Sequence, residues 1–500
     1  MICVCIGRSR HKRMIAEHQH LVQKGVRLVE LRLDHINGTV NLKRLVADRP
    51  GPVIVTCRRK EDGGQWDGSE DDRVTLLRSA IAEGVEYVDL EEDIADSIPR
   101  FGDTKRIVSF HDFSGTPADL KHLHASMAAK DADVVKLATM ARCTHDNVRM
   151  LSLIAESTVP TVGLCMGDIG TPTRILSTKF GAPFTFASFT ESKTIAPGQL
   201  SYRQMSSIYG QEKIGPNTQV FGVIADPVGH SLSPHIHNAS YQSLGLDCVY
   251  LPLRVPVDDL AQFIADCGAM GLEGLSVTIP HKETVLEHCT QPDEAVTGIG
   301  ATNTLVFRDG EVFAHNTDCS AALGSLEDSL GIQQTSPTSL QGKTSLQGKT
   351  AMLLGGGGVA KAIAFGLRQR GAEVIVAVRS PDKAQSLHDN LGCQILPWDQ
   401  RHDVSVNILV NCTPIGMHPK VDASPFDGDH MREEMVVFDT IYNPEETLLI
   451  QNAKQAGAAV VTGVDMFVRQ AALQFQHFTG SDAPMDVMRK VMKHQLGQDG

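Results

Sequence analysis

A chain of 500 residues, 42% hydrophobic and 21% charged, is long enough for about three globular domains. Its net charge of −13 and the lack of a basic stripe argue against nucleic acid and anionic membranes as partners, while local Arg and Lys leave small anionic ligands open. Eleven Cys without C-x-x-C or metal-ligand spacing argue against a disulfide scaffold or a metal site, and the lack of a signal-like or 18-residue apolar segment points to a cytoplasmic protein.

In the first 200 residues short apolar runs alternate with amphipathic stretches. The runs are Ile2 to Ile6, Leu28 to Arg32, Val53 to Thr56, Tyr87 to Asp89, Arg106 to Phe110, Val134 to Leu137, Thr161 to Cys165 and Thr185 to Ser188. Eight such runs, each but the last followed by enough chain for a helix, predict an α/β fold of the (β/α)8 barrel type with its site at the carboxyl ends of the strands.

Polar residues interrupt these runs at that end. Glu30 and Arg32 share one face of the second strand, Arg58 follows the third, His111 the fifth and Arg174 the seventh, while Lys136 sits inside the sixth. Singly, each has a plain structural reading: an ion pair, a satisfied core histidine, a snorkelling lysine. Together they define one rim. A lysine in an apolar strand is disfavoured in its charged form, so neutral amine is available to attack a ketone, and the resulting iminium acidifies the neighbouring carbon for His111 to deprotonate. Arginines suit a substrate carboxylate. These parts predict β-elimination of water from a small hydroxy-keto acid.

Glu30-Leu-Arg32, Thr56-Cys-Arg58, Ser109-Phe-His111-Asp112-Phe113, Lys136, Met166-Gly167 with Arg174, and Ala196-Pro-Gly-Gln199 resemble type I 3-dehydroquinate dehydratase across residues 1–205. The resemblance implies Lys136 as the Schiff-base lysine and His111 as general acid/base, with Glu30, Arg32, Arg58, Arg174 and Gln199 as substrate ligands. Two positions depart from the family pattern. Asp62 stands where a Glu usually orients the histidine, and Ile195 where a Ser or Thr usually precedes the glutamine.

Residues 206–217 form a polar linker, and a new domain is predicted over 218–325. In it, Ser231 and Ser233 precede a helix that they would also suit as caps. His235 and His237 lack a third ligand at a fitting spacing, so no metal is expected. Thr278 and Lys282 in SVTIPHK, Asn303 in GATNTLV and Asp318 in AHNTDCSA each follow a short β-type run. A Lys/Asp pair beside a nicotinamide suits interconversion of an alcohol and a ketone, and a buried structural ion pair is the plain alternative.

Before the next strand, SLQGKTSLQGKT (339–350) is a perfect tandem hexapeptide, read as a tolerated loop duplication without a P-loop pattern. Then AMLLGGGGVAKAIAFG breaks an apolar strand into Gly355, Gly356, Gly357 and Gly358 and resumes as a helix, a dinucleotide-type turn. The following strand, EVIVAV, ends in Arg379 with Lys383 four residues on, where an NAD site usually offers a carboxylate. The pattern predicts NADP and a Rossmann-type domain over 326–465.

These strings resemble shikimate dehydrogenase over about residues 218–490. The resemblance implies Lys282 and Asp318 as the catalytic pair, with Ser231, Ser233, Thr278, Asn303, Tyr442 and Gln470 around the substrate. It also implies Gly355 to Val359, Arg379, Lys383, Thr413 within Asn411–Met417, and Gly463 around NADP, with residues 466–490 returning to the substrate domain. Val378 departs from a usual Asn. The two resemblances together imply a fused enzyme that dehydrates 3-dehydroquinate and reduces the product to shikimate with NADPH. A quinate-directed dehydrogenase and a ligand-sensing regulator are the alternatives; the paired serines favour shikimate, and retention of Lys136, His111, Lys282 and Asp318 opposes the sensor.

Overall fold

The computed structural model describes residues 1–332 and 346–497. They fall into two compact units, one of Met1–His230 with Asp247–Leu272 and one of Ser231–Leu246 with Glu273–Gly500.

In the first unit the chain runs β1 (Ile2–Gly7), α1 (His11–Gln23), β2 (Leu28–Arg32), α2 (Leu42–Val46), β3 (Val53–Thr56), α3 (Glu70–Ala82) and β4 (Tyr87–Glu91). It continues with β5 (Lys105–Asp112), α4 (Leu120–Ala128), β6 (Val134–Met140), α5 (His145–Glu156), β7 (Thr161–Met166), α6 (Thr171–Leu176) and β8 (Thr185–Ser188). All eight expected strands are present. They pair in parallel in the order β7-β6-β5-β4-β3-β2-β1-β8, a near-closed barrel. The runs are apolar on both faces because one face fills the barrel and the other meets the helices. Inside, Cys3, Leu28, Ile54, Ile107, Val134, Val162 and Phe184 pack together.

The segment after β4 differs from a regular βα repeat. Only a 3-10 turn, Ala95–Ser97, forms there, because Pro99 and the left-handed Gly102 (φ +63°) interrupt the connection to β5. His111 lies within β5 rather than after it. Beyond the barrel, β9 (Gln219–Ala225) and β10 (Cys248–Arg254) pair in parallel, and α8 (Leu260–Asp266) follows them. This lobe belongs to the barrel's unit: Asp259 accepts from the Thr144 amide at 2.8 Å, and Asp266 meets His145 Nδ1 at 2.8 Å.

The second unit contains α7 (Ser233–Leu244), β11 (Leu272–Val277), β12 (Gln291–Pro292), α9 (Glu294–Ile299), β13 (Thr304–Arg308), β14 (Glu311–His315) and α10 (Thr317–Ser329). Strand β13 runs antiparallel to β11 and β14. A Rossmann-like lobe follows: β15 (Thr350–Leu354), α11 (Gly358–Gln369), β16 (Glu373–Val378), α12 (Gln385–Leu391), β17 (Gln394–Pro397), β18 (Ile408–Asn411), β19 (Val436–Asp439), α13 (Leu448–Gln455) and β20 (Ala459–Val461). Its six parallel strands take the order β17-β16-β15-β18-β19-β20, which puts the reversal of strand order between β15 and β18. Helices α14 (Gly463–Thr479) and α15 (Met485–Gly497) complete the chain. α14 starts with a capping box, Thr462 with Asp465, and stops at the left-handed Gly480. The first copy of the tandem hexapeptide lies outside the described residues; the second leads through the buried Leu346 into β15.

At the end of β19, Asp439 is fully buried and accepts from Thr447 Oγ1 (2.6 Å), the Ile441 amide (3.0 Å) and Asn411 Nδ2 (3.0 Å). Burial outweighs these bonds and pushes its carboxyl up to about 6. A folded-state value above the ordinary 3.8 means that protonated Asp439 favours the fold; that contribution is complete below 3.8 and is lost as pH rises through about 6. Asp439→Asn is therefore expected to melt higher than wild type at pH 8, with the difference closing as the pH falls to about 4. A pH-independent difference in melting temperature contradicts this.

Candidate active sites

The carboxyl ends of the barrel strands surround a cavity that opens to solvent. Glu30, Arg32, Arg58, His111, Lys136, Arg174 and Gln199 all line it, with Phe186 and Met166 as apolar walls. Strand register explains the convergence: Glu91, Ser109 and Lys136 are partners in one row across β4, β5 and β6, and Cys5 and Glu30 are partners on β1 and β2.

Lys136 is not in the apolar setting its strand suggests. Its Nζ lies 2.9 Å from Asp89 Oδ2, 3.7 Å from Glu30 and 4.4 Å from the centre of the Phe186 ring. Asp89 also accepts from Arg58 Nη2 (2.7 Å) and Ser109 Oγ (2.6 Å). Burial alone would raise the Asp89 carboxyl, but Arg58 and Lys136 hold it far below the usual carboxylate range. Glu30, which accepts from Thr56 Oγ1 at 2.8 Å, is lowered against its burial by Lys136 and then Arg32. The His111 imidazole is pushed well below its usual value, first by burial and then by the cations Arg58 and Lys136, so it is neutral at pH 7. The cavity thus holds a neutral imidazole that can accept a proton.

The three arginines differ. Arg58 is tied to Asp89 and Glu91, and Arg32 forms a two-pronged pair with Asp34 at 2.8 and 2.9 Å. Arg174 meets no carboxylate among the described residues: Nη2 donates to the Pro197 carbonyl, and the buried Nε has no partner. Desolvation draws its guanidinium down to about 10. The cavity thus holds one uncompensated cation, ready for a carboxylate ligand.

In the second unit, Lys282 Nζ and Asp318 Oδ2 are 2.6 Å apart, joining the segment after β11 to the first turn of α10. Asn303 accepts from the Thr317 amide at 2.8 Å, one residue before Asp318. Thr278 follows β11, Tyr442 follows β19 with its ring tilted against Phe467 at 5.1 Å, and Gln470 is buried on α14. Ser233 opens α7, and Ser231 Oγ accepts its amide over a long 3.4 Å, so neither hydroxyl is consumed by a strong cap.

The glycine turn lies at the strand-order reversal. Gly355 has φ +99°, and a Cβ there would meet Thr413 Cγ2 at 2.9 Å, so the loops after β15 and β18 touch only because this residue is glycine. Gly357 and Gly358, at the start of α11, face open space, as a phosphate cradle requires, and Val359 follows in the helix. The bare glycine backbone, helix N-terminus and exposed Arg379 after β16 together fit a dinucleotide with an additional phosphate. Lys383 belongs to the turn Pro381–Ala384, but its side chain lies outside the described residues. Val378 packs beneath Gly356. At Gly463 a Cβ would fall 2.1 Å from the Ile441 carbonyl, so glycine lets α14 start against that loop.

The type I 3-dehydroquinase family model matches residues 2–216, and the shikimate dehydrogenase substrate-binding model matches 223–305. The shikimate 5'-dehydrogenase C-terminal model matches 463–493, and an NADP oxidoreductase model, coenzyme F420-dependent, covers 349–441. The chloroplastic bifunctional 3-dehydroquinate dehydratase/shikimate dehydrogenase of Arabidopsis thaliana is 36% identical over 98% of this chain and 84% of its own. The chain belongs to this bifunctional family. A shikimate dehydrogenase (NADP(+)) of Methanothermobacter thermautotrophicus is 38% identical over 56% of this chain and 98% of its own. A shikimate dehydrogenase solved in complex with NADP+ is 33% identical with a TM-score of 0.51, covering 57% of this chain and 97% of that one.

Within this bifunctional dehydratase/dehydrogenase, two departures are structurally explicit. Asp62 lines the cavity, but its carboxylate accepts from Arg59 Nε at 2.7 Å, and His111 Nδ1 is left without a partner. Ile195 offers the cavity an apolar side chain, while its amide donates to Gln199 Oε1 at 2.9 Å. Sequence reading missed Asp89 and Glu91, which neutralise Arg58, and Asp89 also holds Lys136. The available signal was Asp89 and Glu91 spaced two apart at the end of a strand, the pattern that singled out Glu30 and Arg32.

Arg174→Met is expected to raise the melting temperature of the ligand-free protein, since a buried ion without an opposite charge carries a desolvation cost that nothing offsets. The same variant is expected to raise KM for dehydration by about 100-fold. A fall in melting temperature, or an unchanged KM, contradicts the assignment of Arg174 as the carboxylate receptor.

Proposed function

We propose that the chain carries out two consecutive reactions: Schiff-base dehydration of 3-dehydroquinate to 3-dehydroshikimate by residues 1–205, then NADPH-dependent reduction to shikimate by residues 218–490. The observation that carries the reading is one cavity holding an ion-paired lysine, a neutral histidine and an arginine, Arg174, that meets no carboxylate among the described residues.

Arg174 binds the substrate carboxylate, with Glu30, Arg32, Arg58 and Gln199 around the ring. The Lys136 ammonium yields a proton to His111, and the amine adds to the substrate ketone. The imidazolium returns that proton to the former carbonyl oxygen, which leaves as water, so that an iminium joins Lys136 Nζ to the former carbonyl carbon and His111 is neutral again. His111 then takes a proton from the adjacent carbon, the hydroxyl one carbon further leaves as water with a proton returned by the imidazolium, and hydrolysis of the iminium releases the enone. Asp89, Glu30 and Phe186 suit a cation at Nζ, which is the charge state of both the ammonium and the iminium.

For the second step, Ser231, Ser233, Thr278, Asn303, Tyr442 and Gln470 hold the substrate. The Gly355–Val359 turn, Thr413, Gly463, Arg379 and Lys383 hold NADP, with the two cations at the extra phosphate. Bound NADPH supplies the hydride. Lys282 delivers a proton to the substrate's carbonyl oxygen, and Asp318 at 2.6 Å keeps the lysine aimed. Among the described residues no helix is long and apolar enough to cross a membrane. We place the protein in the cytoplasm, a reading supported by eleven free cysteines.

Supplying 3-dehydroquinate and NADPH alone is expected to give steady NADPH oxidation. No turnover overturns the reading. Lys282→Ala is expected to abolish reduction and leave dehydration unchanged, because each site is built within its own compact unit. Loss of dehydration in that variant, with the fold intact, contradicts this independence. Arg379→Ala is expected to weaken NADP by about 10- to 150-fold, the loss of one charge-assisted hydrogen bond, and to leave NAD unaffected. Equal losses for both cofactors contradict the placement of Arg379.

A further inference from the structure

Helix α14 carries a second glutamine one turn after Gln470. Gln474 is 2% exposed, and its neighbours Ala471, Leu473 and Phe475 are buried apolar residues. A buried amide among apolar groups is costly unless its polar atoms are bonded, and here each of them is. Oε1 accepts from Ser276 Oγ at 2.8 Å, on β11. Nε2 donates to the Asn303 carbonyl at 2.9 Å and to Thr304 Oγ1 at 3.1 Å, at the start of β13.

The second donation sets the direction of a relay. With its oxygen taken by Gln474, the Thr304 hydroxyl turns its proton to Asn303 Oδ1 at 2.9 Å. That fixes the Asn303 amide: Oδ1 also accepts the Thr317 backbone N–H at 2.8 Å, and Nδ2 donates to Thr317 Oγ1 at 2.9 Å. Asn303, Thr304 and Thr317 are all buried, so water does not substitute for a missing partner at little cost. Thr317 is the first residue of α10 and Asp318, the partner of Lys282, is the second.

We propose that Gln474 is a positioning residue for the reduction: through Thr304 and Asn303 it sets the backbone that presents Asp318 to Lys282, and it fixes the helix that carries Gln470. Four segments, α14, β11, the start of β13 and α10, then share one buried bonding pattern, and that pattern ends one residue before Asp318. The proposal rests on Lys282 and Asp318 as the reducing pair.

The test uses the full chain, whose dehydration in the other unit is an internal control. Gln474→Leu keeps the bulk and removes the bonds; Thr304→Val removes only the relay hydroxyl. Each is expected to lower kcat/KM for 3-dehydroshikimate about tenfold or more and to displace the pH profile of reduction, with KM for NADPH and the dehydration rate unchanged. Because both break one chain of bonds, the double variant is expected to be no worse than the poorer single one. The proposal is overturned if Gln474→Leu keeps kcat/KM within about twofold while only its melting temperature falls, or if the two losses multiply. If Gln474→Leu does not fold, Thr304→Val decides: its bonds from Gln474 to Ser276 and to the Asn303 carbonyl remain. Lys282→Ala is measured alongside; reduction at the wild-type rate in that variant refutes the site assignment itself, separately from the role of Gln474.

Discussion

The chemistry of the barrel depends on one constraint: several full charges are packed where water is scarce, and each must find its opposite. Asp89 is the hinge of that arrangement, shared between Arg58, Ser109 and Lys136. A buried ion left alone costs several kcal/mol, so the pairing decides which groups remain free for a ligand. Arg58 and Arg32 are neutralised by protein carboxylates and shape the wall. Arg174 is not, and its lowered guanidinium records the cost of keeping it ready for substrate. Burial, and after it the cations Arg58 and Lys136, lowers the His111 imidazole in the same site. The roles proposed for Lys136, His111 and Arg174 thus rest on one distribution of charge.

The second unit solves a different problem, bringing backbones close enough to share a small ligand. Its close approaches depend on missing Cβ atoms: Gly355 against Thr413 and Gly463 against Ile441. These contacts draw the loops after β15, β18 and β19 toward the start of α14. The Lys282–Asp318 pair is held from the other side by Asn303 and the N-terminus of α10. A reaction that moves a hydride and a proton in concert needs such fixed geometry more than it needs strong binding.

The fold was largely legible because its signals are local. Eight apolar runs in the barrel and four consecutive glycines before an alanine-rich helix each reflect a requirement met within a few residues. The site residues were legible as types: Lys136 stood inside an apolar strand, and His111 and Arg174 followed such runs, where polar groups need a reason. Their electrical roles were not. Whether Lys136 is desolvated or paired depends on Asp89, brought from another strand, and whether Arg58 is free depends on Asp89 and Glu91 together. Asp62 shows the same limit, since its position in the chain does not reveal that Arg59 holds its carboxylate. Gln474 looked like any helix residue, because its three partners come from β11 and β13.

The central claim is that Lys136, held by Asp89, is the amine that becomes covalently bonded to substrate. Borohydride reduction of the whole protein in the presence of 3-dehydroquinate, followed by peptide mass analysis, tests it directly. The account predicts a substrate-dependent adduct on Lys136 and no adduct on Lys282. An adduct on another lysine, or none under conditions of turnover, contradicts it.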